Sequence, residues 1–230
     1  RISGIIDLKS PDYHLKKSNF GVGSNLTHAY LYGKTPFAKN KAAVVFSFRR
    51  SFKELWDTPT FDDITLRNLQ GILITKADIR DLPTHIDLDT RFYFYDANLK
   101  FSARLSDADE LTIAGFSGRN NFNNRLLDDR RDVEQRDILR LNNQGTSITW
   151  QHDWREKIYS NITGVRSHLF FDYAYEFIER LNLKPERDGK KRNEVEEYKI
   201  LVDNSYRTTQ QHEFKLGYHY TNDEISYELT

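Results

Sequence analysis

Histidines and acidic side chains are the residues of this chain that could perform catalysis, and their spacing does not favour it. The seven histidines include no His-x-x-x-His pair accompanied by a glutamate, as a zinc protease would require. His152 and Asp153 suggest an acid–base pair, but neighbours in a strand point to opposite faces. Asp107–Glu110 lacks the glycine and the terminal glutamate of a calcium loop. We therefore predict a structural role for His152 and a turn at 107–110.

Other catalytic signatures are also missing from the sequence. It contains no Gly-x-Ser-x-Gly, no phosphate-binding P-loop and no Gly-x-Gly-x-x-Gly. The chain has no cysteine, which excludes disulfides and thiolate metal sites. Lys+Arg and Asp+Glu both number 34, so the balanced charge does not indicate a nucleic-acid partner. The sequence predicts no enzyme activity and no bound cofactor.

The strongest signal is the alternation of apolar and polar residues along extended segments. Tyr198–Tyr220 alternates over its whole length, with Phe214, Leu216 and Tyr218 on one side. At about 3.3 Å per residue this pattern predicts a single strand about 70 Å long. Period-two patterns also occupy four other segments, which are 43–56, 93–106, 146–155 and 165–177. Transmembrane barrels are one of the few settings for such long strands, because one side faces lipid and the other a wet lumen.

The connections between these segments are predicted to alternate in length. Short polar turns are expected at 38–41, 106–110, 155–157 and 221–224. Long polar segments are expected at about 57–88, 119–143 and 180–197, and a short helix could lie within 61–82. Short turns at one edge and long loops at the other are typical of an outer-membrane barrel.

Hydropathy agrees with strands in a membrane. Mean hydropathy is −0.73 and no run approaches 18 apolar residues, which excludes a transmembrane helix but not a barrel. The fold class predicted is therefore all-β, an antiparallel transmembrane β-barrel. Seven charged side chains are expected to face the lumen, as a wet wall or as a substrate path: Lys100, Arg104, Asp153, Arg155, Arg207, Glu213 and Lys215.

Several short segments resemble TonB-dependent outer-membrane receptors in their order and spacing. Arg1–Ser10 is similar to the end of the plug domain of that family. The barrel segments that carry the resemblance are Gly21–Leu26 with Ala29–Gly33 as a first hairpin, Thr35–Lys41 as its following turn, Phe48–Phe52, and Tyr95–Lys100. Thr35 stands where the family often has glycine, and Phe37 where it often has leucine.

The resemblance implies a fold, a location and partners. Residues 1–16 would end a plug domain, and 17–230 would form about nine strands of a 22-stranded barrel in the bacterial cell outer membrane. The protein would be a receptor that imports a scarce nutrient into the periplasm. Its partners would be outer-membrane lipid, TonB, and an extracellular ligand such as an iron chelate, cobalamin or an oligosaccharide.

Recognition residues are expected on the outer loops, because loops vary on a rigid scaffold. The candidate ligand contacts are Trp56, Phe61, Phe122, Arg130 and Arg131. Three alternatives stay open from the sequence. The chain could belong to a plain pore, for which a plug would be unnecessary, to a barrel enzyme, or to a soluble all-β binding module.

Overall fold

The computed structural model describes residues 17–52, 86–154, 157–179, 184–208 and 212–230. These residues form nine strands: β1 (Asn19–Ser24), β2 (His28–Phe37), β3 (Ala42–Ser51), β4 (Ile86–Arg104), β5 (Asp109–Asp128), β6 (Val133–Trp154), β7 (Ile158–Glu179), β8 (Lys184–Arg207) and β9 (Glu213–Leu229). Within these ranges no helix is long and apolar enough to cross a bilayer.

Each strand pairs with the next in the chain, and every pair is antiparallel. The result is one sheet of nine strands in sequence order, with β1 and β9 at its two edges. The all-β antiparallel fold predicted from the sequence is confirmed, as an open sheet rather than a closed barrel. Strands β5 to β8 contain 20, 22, 22 and 24 residues. They are about twice as long as the roughly 9–11 residues that a tilted transmembrane strand requires.

The prediction of a single strand over 198–220 is wrong. β8 ends at Arg207 and β9 begins at Glu213, and the two strands pair antiparallel with Val202 opposite Tyr218. Every residue pair in this hairpin is an even number of positions apart, so the alternation continues in phase through the turn. Periodicity alone therefore cannot distinguish the hairpin from one long strand. The turn predicted at 221–224 is also wrong, because these residues lie within β9.

Two of the long segments predicted as loops are mostly strand. Residues 119–143 contain the end of β5, a turn at 129–132 and the start of β6, and most of 180–197 belongs to β8. Some of their polar side chains pair across neighbouring strands, as Arg125 does with Glu134 and Asp137 with Tyr173, so polarity did not indicate a loop. The short turn predicted at 38–41 lies between β2 and β3 as expected. The turn predicted at 106–110 is confirmed for 106–108, whereas 109–110 belong to β5, and residues 155–156 are outside the described residues. Most of segment 57–88, and all of the predicted helix within 61–82, lie outside the described residues.

The register aligns apolar side chains into two continuous rows on one face of the sheet. The first row crosses β2 to β9 through Phe37, Ala42, Ala103, Leu111, Trp150, Ile162, Val202 and Tyr218. The second crosses the same strands through Thr35, Val44, Phe101, Ile113, Ile148, Gly164, Ile200 and Tyr220. We call these two rows the apolar band. Much of it is open to solvent, since Tyr218 is 64% exposed and Ile148 55%.

The hairpin turns are displaced steadily along the band. Phe37 and Ala42 close the β2–β3 hairpin and lie on the same row as Val202 and Tyr218. The β8–β9 hairpin closes five residues further along each strand. A stagger of this kind is the register shift that a sheet of tilted strands needs in order to curve into a barrel.

The two faces of the sheet exchange polarity beyond the apolar band. In β7, Ile158 and Ile162 lie on the band face, whereas Phe171 and Tyr173 lie on the opposite face. The only register irregularity of the β7–β8 pairing is between Phe177 and Ile178, so the sequence pattern shifts while the strand continues. The apolar residues of 165–177 therefore do not share a face with those of 146–155. Alternation shows which residues share a face, but only the register assigns that face.

The β8–β9 hairpin can be tested with an engineered disulfide, because the chain has no cysteine of its own. Val202→Cys combined with Tyr218→Cys should cross-link on mild oxidation, since directly opposed residues have Cβ atoms about 4.5–5.5 Å apart. Non-reducing electrophoresis of the full-length protein would detect the bond as a mobility shift. The matched pair Leu201→Cys with Tyr218→Cys should stay reduced, because its side chains face opposite sides. A lack of cross-linking in the first pair would contradict the hairpin.

Candidate functional site

The face opposite the apolar band is polar, and we call it the polar wall. Between the two rows of the band, its own row runs through Ser102, Thr112, Thr149 and Thr163. Six of the seven charged residues expected on one side lie on this face, and the seventh, Arg155, is outside the described residues. The segregation of charge predicted from the sequence is thus present wherever the structure describes it.

Charges on the polar wall are compensated locally by partners of opposite sign. Arg49 on β3 donates from Nε to Asp96 Oδ2 at 2.8 Å, and its Nη2 contacts the same oxygen. Two further ion pairs follow along β8 and β9, Lys199–Glu197 at 2.6 Å and Lys215–Glu213 at 3.4 Å. His219 Nε2 lies 3.1 Å from Asp203 Oδ1. The wall is therefore hydrophilic without presenting a field of one sign.

A groove of about 590 Å³ crosses the polar wall between β2 and β6. Tyr30 and Tyr32 line one end, and the Arg49–Asp96 pair lies in its middle. Gly118 opens the space beside that pair, because a Cβ there would lie 3.0 Å from Asp96 Oδ1. None of these residues was singled out as a binding candidate from the sequence. The available signal was Gly-x-Gly at 21–23 facing Tyr-x-Tyr at 30–32 across a short turn.

Further along the same face, beyond the band, lies a buried cluster. Phe122 and Leu139 form its centre and are 2% and 9% exposed. Beside them Asp137 is fully buried and accepts a hydrogen bond from Tyr173 Oη at 2.6 Å. Burial raises the pKa of the Asp137 carboxyl. A carboxyl that is buried, hydrogen-bonded and biased toward its neutral form is suited to packing rather than to exchanging protons with solvent.

The candidate ligand contacts fall at different places. Phe122 lies within β5 and is buried against Leu139, so it is not on a loop. Arg130 and Arg131 lie in the turn after β5, where their backbone N–H groups donate to Asp128 Oδ1 at 3.0 and 3.2 Å. Trp56 and Phe61 are outside the described residues. Nothing in the structure brings these candidates together, and their role in ligand binding stays a prediction.

His152 belongs to an aromatic cluster at the short-turn end of the band face. Its ring lies between Trp150 and Trp154, with ring centres 5.3 and 4.1 Å away. Its Nδ1 lies 2.7 Å from Asp109 Oδ1, which also accepts from Trp150 Nε1 at 3.0 Å. Ser106 Oγ donates a hydrogen bond to the same carboxylate and not to His152. The His152 ring therefore does not act as a base on the Ser106 hydroxyl. The structural role predicted for His152 fits this geometry, although its partner is Asp109 and not Asp153.

No metal site forms in the parts of the chain that the structure describes. No group of three or more His, Asp or Glu side chains comes together there in a way that could hold an ion. The acidic turn at 107–110 uses Asp109 to accept hydrogen bonds from neighbouring side chains, as described above. Residues 107–108 lie between β4 and β5 as predicted, and residues 109–110 begin β5.

A three-residue ion cluster stabilises the band face beyond the apolar rows. Arg125 and Arg136 are directly opposite each other on β5 and β6, an arrangement that would be repulsive alone. Glu134 accepts from Arg125 Nε at 2.7 Å and from Arg136 Nε at 2.6 Å. These two guanidiniums lower the pKa of Glu134 to about 2, with the Arg125 hydrogen bond as the largest cause.

Comparisons with known proteins give a loose similarity to transport proteins. No protein-family model matches the chain, and no curated protein matches it. The unliganded crystal structure of the ferric citrate transporter FecA is similar over 91% of this chain, with a TM-score of 0.40 and 8% identity. The monoaromatic hydrocarbon channel CymD is similar over 92%, with a TM-score of 0.26 and 11% identity. The chain spans 34% of FecA and 74% of CymD.

The Glu134 cluster predicts a loss of stability in acid. A depressed pKa in the folded state means that the stabilisation is present above the ordinary glutamate pKa. It is lost as pH falls from about 4.5 toward 2. Glu134→Gln should lower the free energy of unfolding at pH 7 by about 1–2 kcal/mol, because two half-exposed arginines then face each other without a carboxylate.

The measurement is urea unfolding of the full-length protein in lipid vesicles between pH 3 and 7. Glu134→Gln should also flatten the pH dependence of stability below pH 5. The control is Glu213→Gln, which removes a carboxylate from an exposed pair at the edge of the sheet. Equal pH profiles for wild type and Glu134→Gln would contradict the assigned role.

Proposed function

We propose that this chain is part of a TonB-dependent outer-membrane receptor that binds a scarce nutrient and imports it into the periplasm. The observation that carries the proposal is the apolar band, which crosses eight strands on one face and is backed by the polar wall. A soluble sheet would cover such rows with a second layer. Lipid on one side and water on the other satisfy the two faces without a second layer.

Strand geometry supports a barrel in a membrane. On β4, the band face is apolar from Ala97 through Leu99, Phe101 and Ala103 to Leu105, a nine-residue span that suits a tilted transmembrane strand. The strands continue far past the band on the side away from the turns at 38–41 and 105–108. The end that these extensions reach would be the extracellular side, where ligands are recognised.

The receptor assignment depends on the resemblance of five short segments. The proposal is supported by the hairpin of β1 and β2, the turn at 38–41 and the strands that contain 48–51 and 95–100. The resemblance of 1–10 to the end of a plug favours a gated receptor over an open pore. In such a receptor no covalent chemistry is needed, because ligand binding and TonB shift a conformational equilibrium.

Membrane contact of the apolar band can be tested with neighbouring residues of β6. Ile148→Arg places a charge in the band and should destabilise the folded protein by about 2–4 kcal/mol at the bilayer midplane. Ser147→Arg points to the polar wall and should have a much smaller effect. Both are measured as the fraction of full-length protein that is heat-modifiable in outer-membrane preparations, and by urea unfolding in vesicles. Equal effects of the two substitutions would contradict a lipid-facing band.

TonB-dependent import requires a cellular test. A deletion strain carrying the full-length gene is grown on single iron or glycan sources, with and without a functional TonB. A growth advantage that disappears without TonB is the expected result. An advantage that persists would indicate a passive pore. Recovery of the full-length protein from the soluble fraction without detergent would instead indicate a soluble binding module.

A further inference from the structure

Two tyrosine rings on the polar wall extend over a strand that has no side chains beneath them. Tyr30 and Tyr32 are opposite Gly23 and Gly21 in the β1–β2 pairing. A Cβ on Gly21 would lie 2.4 Å from Tyr32 Cε1, and one on Gly23 would lie 2.5 Å from Tyr30 Oη. The two glycines let both rings approach the β1 backbone.

The resulting pair of rings is accessible from the wet side. Tyr30 is 40% exposed and Tyr32 is 45% exposed, and both line the groove on the polar wall. They are two positions apart on one strand, so their Cα atoms are separated by about 7 Å. Side by side they form an aromatic surface at one end of the groove, which we call the tyrosine platform. Phe116 and Leu141 add apolar surface elsewhere in the lining.

Hydrogen-bonding groups of both kinds lie next to the tyrosine platform. Asp96 accepts from Arg49, and Asn98 donates from Nδ2 to Ser47 Oγ at 3.2 Å. Asn120 and Asn143 line the far side of the groove. Carboxylate, guanidinium and amide groups together offer donors and acceptors side by side, which is the pattern that adjacent hydroxyl groups require.

Charge excludes other ligand classes from this groove. Among the described residues that line it, Arg49 is the cation, and Asp96 already neutralises it. A polyanionic chelate would meet the Asp96 carboxylate without a free counter-charge among these residues. A wholly apolar ligand would remove the Arg49–Asp96 pair and the asparagine amides from water without replacing their hydrogen bonds. The groove therefore fits an uncharged ligand that has both apolar faces and many hydroxyl groups.

We propose that the groove binds a neutral oligosaccharide. The C–H faces of two sugar residues pack on Tyr30 and Tyr32, and pairs of hydroxyl groups bind Asp96, Arg49 and Asn98. Aromatic side chains provide the contact area, and the few polar groups fix orientation and specificity. That this sugar is the imported cargo rests on the proposed function, whereas binding itself can be measured separately.

The test is calorimetric titration of the full-length protein in detergent with defined hexasaccharides. The neutral probes are maltohexaose, cellohexaose, xylohexaose, mannohexaose and N-acetylchitohexaose, and the comparators are oligogalacturonate and ferric citrate. At least one neutral probe should bind, and more tightly than either comparator. Tyr30→Ala and Tyr32→Ala should each weaken that binding at least ten-fold, whereas Tyr32→Phe, which keeps the ring, should change it less than three-fold.

Two further variants separate loss of the platform from loss of folding. Gly23→Ala keeps every tyrosine but displaces the Tyr30 ring, and should also weaken binding at least ten-fold. Tyr198→Ala removes a tyrosine of similar exposure, 43%, from the opposite face and should bind as wild type does. Heat-modifiable migration in electrophoresis shows whether each variant is folded. A variant that is not folded is replaced by Tyr30→Leu or Tyr32→Leu, for which the same loss of binding is expected.

Three results would overturn the inference: no neutral probe binds, a comparator binds more tightly than all of them, or the folded platform variants bind as wild type does. These results are distinct from failure of the proposed function. Import of cargo through TonB without binding of any neutral probe would contradict this inference alone. Binding of a neutral probe through the platform by a protein that is absent from the outer membrane would contradict the proposed function alone.

Discussion

Unbroken register across a single layer of strands is the constraint on which this molecule depends. Every strand side chain must point to one of two faces, and no second layer stands between those faces and their surroundings in the described ranges. A slip of one residue between two strands would turn every side chain of one strand to the opposite face of the sheet. The rows of the apolar band stay continuous from β2 to β9 because the pairing runs without a shift wherever the band crosses it.

The same constraint explains why the two halves of the long strands differ. Near the short turns the band face is apolar and the wall is hydrophilic. Further along, Phe122 and Leu139 are on the wall side, and the Arg125–Glu134–Arg136 cluster is on the band side. A strand that leaves lipid for water needs charge on its outer face and can bury apolar groups on its inner one. The exchange occurs because the alternation of apolar and polar residues shifts by one position in the sequence of β7. No bulge occurs near this transition.

Local charge compensation gives the polar face its character. Each described ion pair on the wall joins residues on neighbouring strands or two positions apart on one strand. Balanced charge over the whole chain is therefore repeated at short range, and no patch concentrates a single sign on the groove. This neutrality, together with the tyrosine platform, distinguishes a surface for hydroxylated ligands from one for anionic chelates.

The sequence by itself determined the β class, the segregation of polar and apolar residues, and the short turns at 38–41 and 106–108. These features are local, since alternation and turn-forming residues depend on neighbours within a few positions. It did not determine that 198–220 folds back on itself, that 119–143 is strand, or that the apolar residues of 165–177 lie opposite those of 146–155. Those outcomes depend on which residues of different strands are paired. The platform of Tyr30 and Tyr32 is likewise a product of pairing, because only the register sets the two rings over the two glycines.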